Sequence, residues 1–410
     1  MLPLFNPPLA PSIVRSHNNP LEIVQNNTQG ELILTAAIYN GLYDPNSPLD
    51  YEQSGPGTVV MTANGLNNNF TGTNDYLNGG VTEIATNNAL GNDTVNINSN
   101  TGAFLNINGG TVLASTTLAL DGGSAAKARA AFLGGNGGGF AAVTGATLTV
   151  DGVIGNSANG TGPLIIGIPA SSANSNTVGL VPGTGAGTAN LTAVYANGVV
   201  KLTGANTYSG GTTVASGTLL ANSTGATGSG VVNVQSGGTL GGNGTIAPSS
   251  VTTGVAVNIA AGGLLQPSSV IGTPTTLTFN LNTGTSLNLA TGAQLAFYLG
   301  TTSDLVNITN GLLSLNGQNF SDFAFTPGAG FTTGTYTLFE TNAPGDVTGS
   351  LGGNTSGAVS GDNATLVVDP TGQYLDLVVS PVPEPGTWAL LLGGLGLLTG
   401  WRCRRQRSPI

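Results

Sequence analysis

From about residue 30 the chain returns again and again to one short device, an apolar and polar alternation over four or five positions closed by glycine or asparagine. Examples are Thr94-Val95-Asn96-Ile97-Asn98, Phe104-Leu105-Asn106-Ile107, Thr147-Leu148-Thr149-Val150, Val231-Val232-Asn233-Val234 and Ser286-Leu287-Asn288-Leu289. A period of two puts a row of Val, Ile and Leu on one side and a row of Asn and Thr on the other, the pattern of a half-buried strand. Strands of about five residues are not stable alone and must stack on many others. The glycine pairs between them reach corner conformations that β-branched residues do not.

How the strands stack follows from what is missing. Only 6% of residues are charged, where about 25% is usual, and 66 of 410 are glycine. A mean hydropathy of +0.19 and 39% apolar residues argue against disorder of the charged kind. A coil of stacked rungs needs few charges and few long side chains, because each turn buries its inward row against the turns above and below. A β-sandwich array would instead show even hairpin spacing with Asn-Gly turns, and the glycine-pair punctuation favours the coil. The fold class read from the sequence is all-β, a parallel β-helix. With roughly 20 to 25 residues per rung and a spacing of about 4.8 Å, residues 30 to 350 would make about 13 to 16 rungs and a rod of about 60 to 75 Å.

Two passages align within this region. One runs from Val59-Val60-Met61-Thr62 through Asn74-Asp75-Tyr76-Leu77-Asn78-Gly79-Gly80-Val81-Thr82-Glu83-Ile84. The other runs from Val200-Lys201-Leu202-Thr203 through Asn206-Thr207-Tyr208-Ser209-Gly210-Gly211-Thr212-Thr213-Val214. The match is looser in the first, where Val81 precedes Thr82. Residues 201 to 222, with the repeat core Asn206, Tyr208, Gly210, Gly211 and Thr212, resemble the autotransporter-associated β-strand repeat. Residues 231 to 248 resemble the rung that follows it, and Ser303 to Phe339 is similar to the C-terminal end of such passengers. This resemblance implies a right-handed parallel β-solenoid. The β-barrel translocator of autotransporters has no counterpart here.

In its place stands a different tail. Pro383-Glu384-Pro385-Gly386 leads into an apolar run containing Trp388, Leu390, Leu391, Leu392, Leu395, Leu397, Leu398 and Trp401, followed by Arg402, Arg404, Arg405 and Arg407. Interfacial tryptophans and a basic end are the grammar of a membrane segment. The run from Gly386 to Trp401 reaches only about 24 Å as a helix, short of a hydrocarbon core of about 30 Å, and it carries four glycines after Gly386. That suits transient retention better than permanent anchoring. A buried core helix would not end in four arginines. Tripeptide, span and arginine cluster in this order resemble the PEP-CTERM sorting signal of Gram-negative bacteria that make extracellular polysaccharide. The resemblance implies a single transmembrane sorting helix and transient residence in the inner membrane. It further implies processing by a membrane protease of the exosortase type, then delivery to the cell surface or the extracellular space.

Charge separates body from tail. Residues 1 to 401 carry 18 acidic and four basic side chains, Arg15, Lys127, Arg129 and Lys201, so the body is near −14 and the tail +4. Such a body has no electrostatic footprint for nucleic acid. The only cysteine, Cys403, lies among the arginines, so no intrachain disulfide forms. The first eleven residues hold four prolines and no positive charge, unlike a signal peptide, which leads us to expect either a start further upstream or a fragment.

Catalytic chemistry is thin. The sole histidine, His17, sits in the lead-in, which removes a Ser-His-Asp triad and a histidine-ligated metal centre from the body. Asp93, Asp121, Asp151, Asp304 and Asp322 are scattered singly, without the pairing that glycoside hydrolysis requires. Neither cofactor nor metal is expected. Residues 121 to 145 and 155 to 190, rich in Gly, Ala and Asn, read as loops projecting from the rod, with Lys127 and Arg129 solvated. The organisation read from the sequence is an irregular lead-in over 1 to 30 and a solenoid over 31 to 350, with its repeats near 59 to 98 and 200 to 248. Closing strands and a linker over 351 to 381 and the sorting signal over 382 to 410 follow. The function read from it is a non-enzymatic surface or matrix protein, adhesive or associated with exopolysaccharide. The alternative is an exported carbohydrate-active β-helix enzyme.

Overall fold

The computed structural model describes residues 13–16, 21–26, 31–34, 50–61, 74–91, 104–120, 128–158, 160–168, 197–268, 273–382, 393–399 and 401. The alternating segments within this set are strands. In Thr147–Val150 the leucine and valine are buried and the threonines half-buried; in Thr285–Leu289 the residues alternate the same way. Thr94 to Asn98 lies outside the described residues.

Successive strands turn corners rather than hairpins. Phe104–Ile107 belongs to a seven-stranded sheet, Thr111–Ala114 to a twelve-stranded sheet and Leu118–Ala119 to an eight-stranded sheet; Ala131–Leu133, Gly138–Ala142 and Thr147–Val150 then repeat that order one coil later. The stacking is parallel, with Leu105 beside Ala131, Val112 beside Phe140 and Leu118 beside Leu148. The result is a three-faced, solenoid-like all-β body. Its inward residues form one apolar cluster from Ile23 to Val379. Each fully buried Leu, Ile or Val in it contributes roughly 1.5 to 3 kcal/mol against exposure.

The rod is shorter than the sequence suggests. The twelve-stranded sheet runs from Glu31–Leu34 to Val347–Ser350, so one rung takes about 29 residues, and twelve strands span about 53 Å instead of 60 to 75 Å. Rung length varies along the chain. Thr212 meets its partner Val232 after 20 residues, whereas Ile166 meets Val214 after 48.

The projecting loops need correction as well. Ala131–Leu133 and Gly138–Ala142 are strands within the coil, and Gly138 to Ala142 are buried throughout. Gly137, at φ +72°, packs so closely on Pro163 that a Cβ would lie 2.3 Å from the Pro163 carbonyl oxygen. Glycine there is a corner packed against the next rung, not the mark of a free loop. Leu164–Ile166 is likewise a buried strand between Gly138–Phe140 and Thr212–Val214. Residues 121–127 and 169–196 lie outside the described set.

Both ends reverse direction. Ile13–Ser16 pairs antiparallel with Leu21–Val24, and at the other end Gly334–Thr341, Tyr374–Ser380, Asp362–Val368 and Ser356–Val359 form an antiparallel series. Between the two seven-stranded sheets the third face has a gap. The first sheet ends at Ile154–Asn156 and the second begins at Thr245–Ile246.

Candidate functional site

The repeat core lies in that gap. Residues 203–211 form no strand, yet they hold the stack together by side chains. Asn206, 7% exposed, accepts a hydrogen bond from the Ile154 N–H at its Oδ1 (2.8 Å) and donates from Nδ2 to the Ala226 carbonyl (2.5 Å). Its carboxamide thus connects the rung below to the rung above, as a strand's own backbone would. Tyr208 is fully buried and its hydroxyl shares a 2.6 Å hydrogen bond with Thr212 Oγ1, which donates to the Thr227 carbonyl (2.9 Å). Burial pushes the Tyr208 phenol well above its usual pKa, and the bond to Thr212 offsets part of that. A Cβ on Gly210 would lie 2.2 Å from the carbonyl oxygens of Thr161 and Gly162, and Gly211 turns the corner at φ +87°. All five residues of the core are therefore packed inside or between rungs.

The aligned passage reaches the same sheet by a similar corner. Gly80, at φ +67°, precedes Val81–Ile84 as Gly211 precedes Thr212–Val214, and both strands belong to the twelve-stranded sheet. The tyrosines diverge. Asn74–Leu77 is a regular strand with Tyr76 exposed, so the inward place beside Thr82 goes to Gln53 and Tyr51. Thr82 Oγ1 donates to Gln53 Oε1 (2.5 Å), which also accepts from the Tyr51 hydroxyl (2.9 Å), while Gln53 Nε2 donates to the Val81 carbonyl (3.1 Å).

Arg129 overturns the reading of a solvated cation. It is 1% exposed, sits 3.3 Å from Asp75 Oδ2 and donates to the Gly91 carbonyl at 3.3 Å. Asp75 is itself 2% exposed. Burial raises the Asp75 carboxyl to about 7 even though the guanidinium beside it pulls the other way. Leu105 lies between Asp75 and Ala131 in the register, so the pair spans two rung steps through the core.

Other acids are engaged one by one. Asp304 accepts from the Thr275 and Tyr298 N–H groups, both at 2.9 Å, in a recess that also touches Gln266 and Ser268. Asp322 closes a capping box with Asn319, and Asp151 accepts from the Thr203 hydroxyl. Asp369 accepts from the Thr371 hydroxyl and from the N–H groups of Thr371, Gln373 and Tyr374; the hydroxyl bond first, and then the N–H bonds, hold it down at about 2. Asp322 and Asp369 fasten turns, whereas Asp151 and Asp304 also tie distant stretches of the coil together.

Within the tail, residues 393–399 and 401 are helical. Leu395, Leu397, Leu398 and Trp401 are 56 to 78% exposed, and among the described residues, the helix's own backbone aside, no atom comes within 4 Å of a Cβ built on Gly393, Gly394 or Gly396. Among the described residues no helix is long and apolar enough to cross a membrane. Pro383, Glu384, Pro385, Trp388, Leu390, Leu391, Leu392, Arg402, Arg404, Arg405 and Arg407 lie outside the described residues, as do Lys127 and Asp121.

Comparison with known proteins bears on this tail. Residues 381–405 match the family model described as the PEP-CTERM protein-sorting motif. The motif implies processing by an exosortase and export through the membrane to the cell surface or extracellular space. No curated protein matches the chain.

Proposed function

We propose that the chain is a non-enzymatic protein of the cell surface or extracellular matrix, a right-handed β-solenoid rod associated with exopolysaccharide and delivered by an exosortase-type system. The observation that carries this reading is the sorting motif at 381–405, which follows a parallel-stacked β body and its antiparallel end strands. Right-handedness is the sense that parallel crossovers adopt in nearly all cases. The structural role is supported by the use of the acids. Asp322 and Asp369 fasten turns, Asp151 and Asp304 hydrogen-bond between distant stretches of the coil, and Asp75 is spent on a core ion pair. The autotransporter-like repeat of 201–222 fits the same role, since its core residues hold rungs together. The apolar helical residues Leu395, Leu397, Leu398 and Trp401, each more than half exposed, suit transient residence in lipid.

Glu384 is the test. In a host with the sorting system, Glu384→Ala is expected to leave a full-length species in the inner membrane and to reduce the surface and matrix fractions at least tenfold on immunoblots. Normal processing and release of that variant would rule out the assignment.

A further inference from the structure

The outer face of the N-terminal seven-stranded sheet carries a row of aromatic and polar side chains. Its strands bury alternate residues, Asp75 and Leu77, Leu105 and Ile107, Ala131 and Leu133, and so turn Tyr76, Phe104, Asn106 and Phe132 outward. The register places Tyr76, Asn106 and Phe132 in one column, with Glu22 beside Glu52, Glu52 beside Tyr76, Tyr76 beside Asn106, Asn106 beside Phe132 and Phe132 beside Gly155. Tyr76 is 36% exposed. Phe104 stands diagonal to Phe132, with ring centroids 5.4 Å apart and planes at 61°. Two aromatic side chains two rungs apart, about 9.6 Å, thus flank a carboxamide. Beside them Asn78 Nδ2 donates to Glu52 Oε1 at 2.9 Å, which fixes a donor and an acceptor at the same edge.

We propose that this face binds a neutral hexose chain lying along the rod axis. The proposal rests on the reading of the protein as exopolysaccharide-associated and names the site and the class of glycan. Rings present flat apolar surface to the C–H faces of alternate sugars, and the carboxamide and carboxylates between and beside them meet the hydroxyls. Parallel stacking sets the period of the platforms, so an extended polymer meets both rings without bending. Charge decides against acidic polymers. From Arg15 to Gly155 the column holds two carboxylates and one cation, with Arg15 beside Glu22 at its far end and the carboxylate of Glu52 next to Tyr76. Of the other described cations, Arg129 is buried in the core and Lys201 lies on the eight-stranded sheet. Uronate or sulfate groups would meet repulsion here, and neutral sugars do not.

Affinity electrophoresis of the full-length protein in mild detergent tests this, with hydroxyethylcellulose, galactomannan, dextran or alginate cast into the gel. At least one neutral polymer is expected to retard the protein and alginate is not. Tyr76→Ala and Phe132→Leu are each expected to weaken the retardation at least tenfold, with far-UV circular dichroism unchanged. Tyr76 is exposed enough for its loss to spare the fold, and Asn106→Asp, which keeps the shape and adds charge, is expected to weaken binding as well. Equal retardation by alginate, undiminished retardation of the three variants, or no retardation by any neutral polymer would overturn the site. Retention on immobilised copies of the chain without glycan binding would assign the face to a protein contact and overturn it too. If the variants lose glycan binding yet Glu384→Ala is processed normally, the site stands and the sorting assignment fails. The reverse pattern separates the two the other way.

Discussion

Glu83 carries its carboxyl on the twelve-stranded sheet at 6% exposure. Burial, with a smaller push from Glu31, raises it from the usual 4.5 to about 7, and a hydrogen bond with Ser115 offsets part of the rise. Between those two values the folded chain keeps a proton that the unfolded chain has released. Stability therefore falls as pH rises through the window and levels off above it. The midpoint of urea unfolding is expected to drop from pH 4.5 to pH 7, and Glu83→Gln to flatten that drop. A wild-type midpoint that stays level or climbs over this range would contradict the assignment. Asp75 acts in the same direction, with Arg129 opposing. None of this was legible in the sequence. Arg129 lies in an Ala- and Gly-rich stretch that reads as solvated, because local composition carries no trace of a partner 54 residues away. Only the coil brings the two together, and burying either one alone would cost several kcal/mol.

Strand elements were far more legible than the corners. Period-two alternation marked Thr147 to Val150 and Ser286 to Leu289 because the inward row meets the apolar core and the outward row meets water, and that contrast is written residue by residue. The glycine-rich stretch 134–139 misled, since a glycine demanded by close packing on Pro163 looks the same in sequence as one in a loose loop. The repeat core was found as a pattern while its purpose was not, because Asn206 does with a side chain what strands do with backbone. Asn206→Ala would leave the Ile154 N–H and the Ala226 carbonyl unpaired, at about 1 to 3 kcal/mol for each buried group. Rungs contact chiefly their neighbours, so the damage stays local. Hydrogen–deuterium exchange is expected to quicken over residues 154–156 and 223–228 and to stay unchanged over 285–315. Uniform quickening along the whole rod would show that the bridge is a global element instead.

At the scale of the molecule, a stack of parallel rungs has a problem at its last rung, where backbone donors and acceptors face outward and invite another copy. The C-terminal reversal answers it on one face. Tyr374–Ser380 covers Gly334–Thr341, Asp362–Val368 covers Tyr374–Ser380, and buried Leu366, Leu375, Leu377 and Val379 close over Leu338 and Phe339. Ser356–Val359 then ends the series as a short, half-exposed strand of four residues. A chain ending at residue 350 would expose the eight-residue edge of Gly334–Thr341 together with the apolar row it shelters. On size-exclusion chromatography with light scattering, that truncation is expected to assemble with rising concentration, while a chain ending at residue 382, which keeps the cap and lacks the sorting segment, stays at constant mass. Because the two chains differ only in residues 351–382, assembly of both would move its cause to the rod's other faces or its N-terminal end. Constant mass for both would show that the antiparallel series is not what keeps the rod from growing.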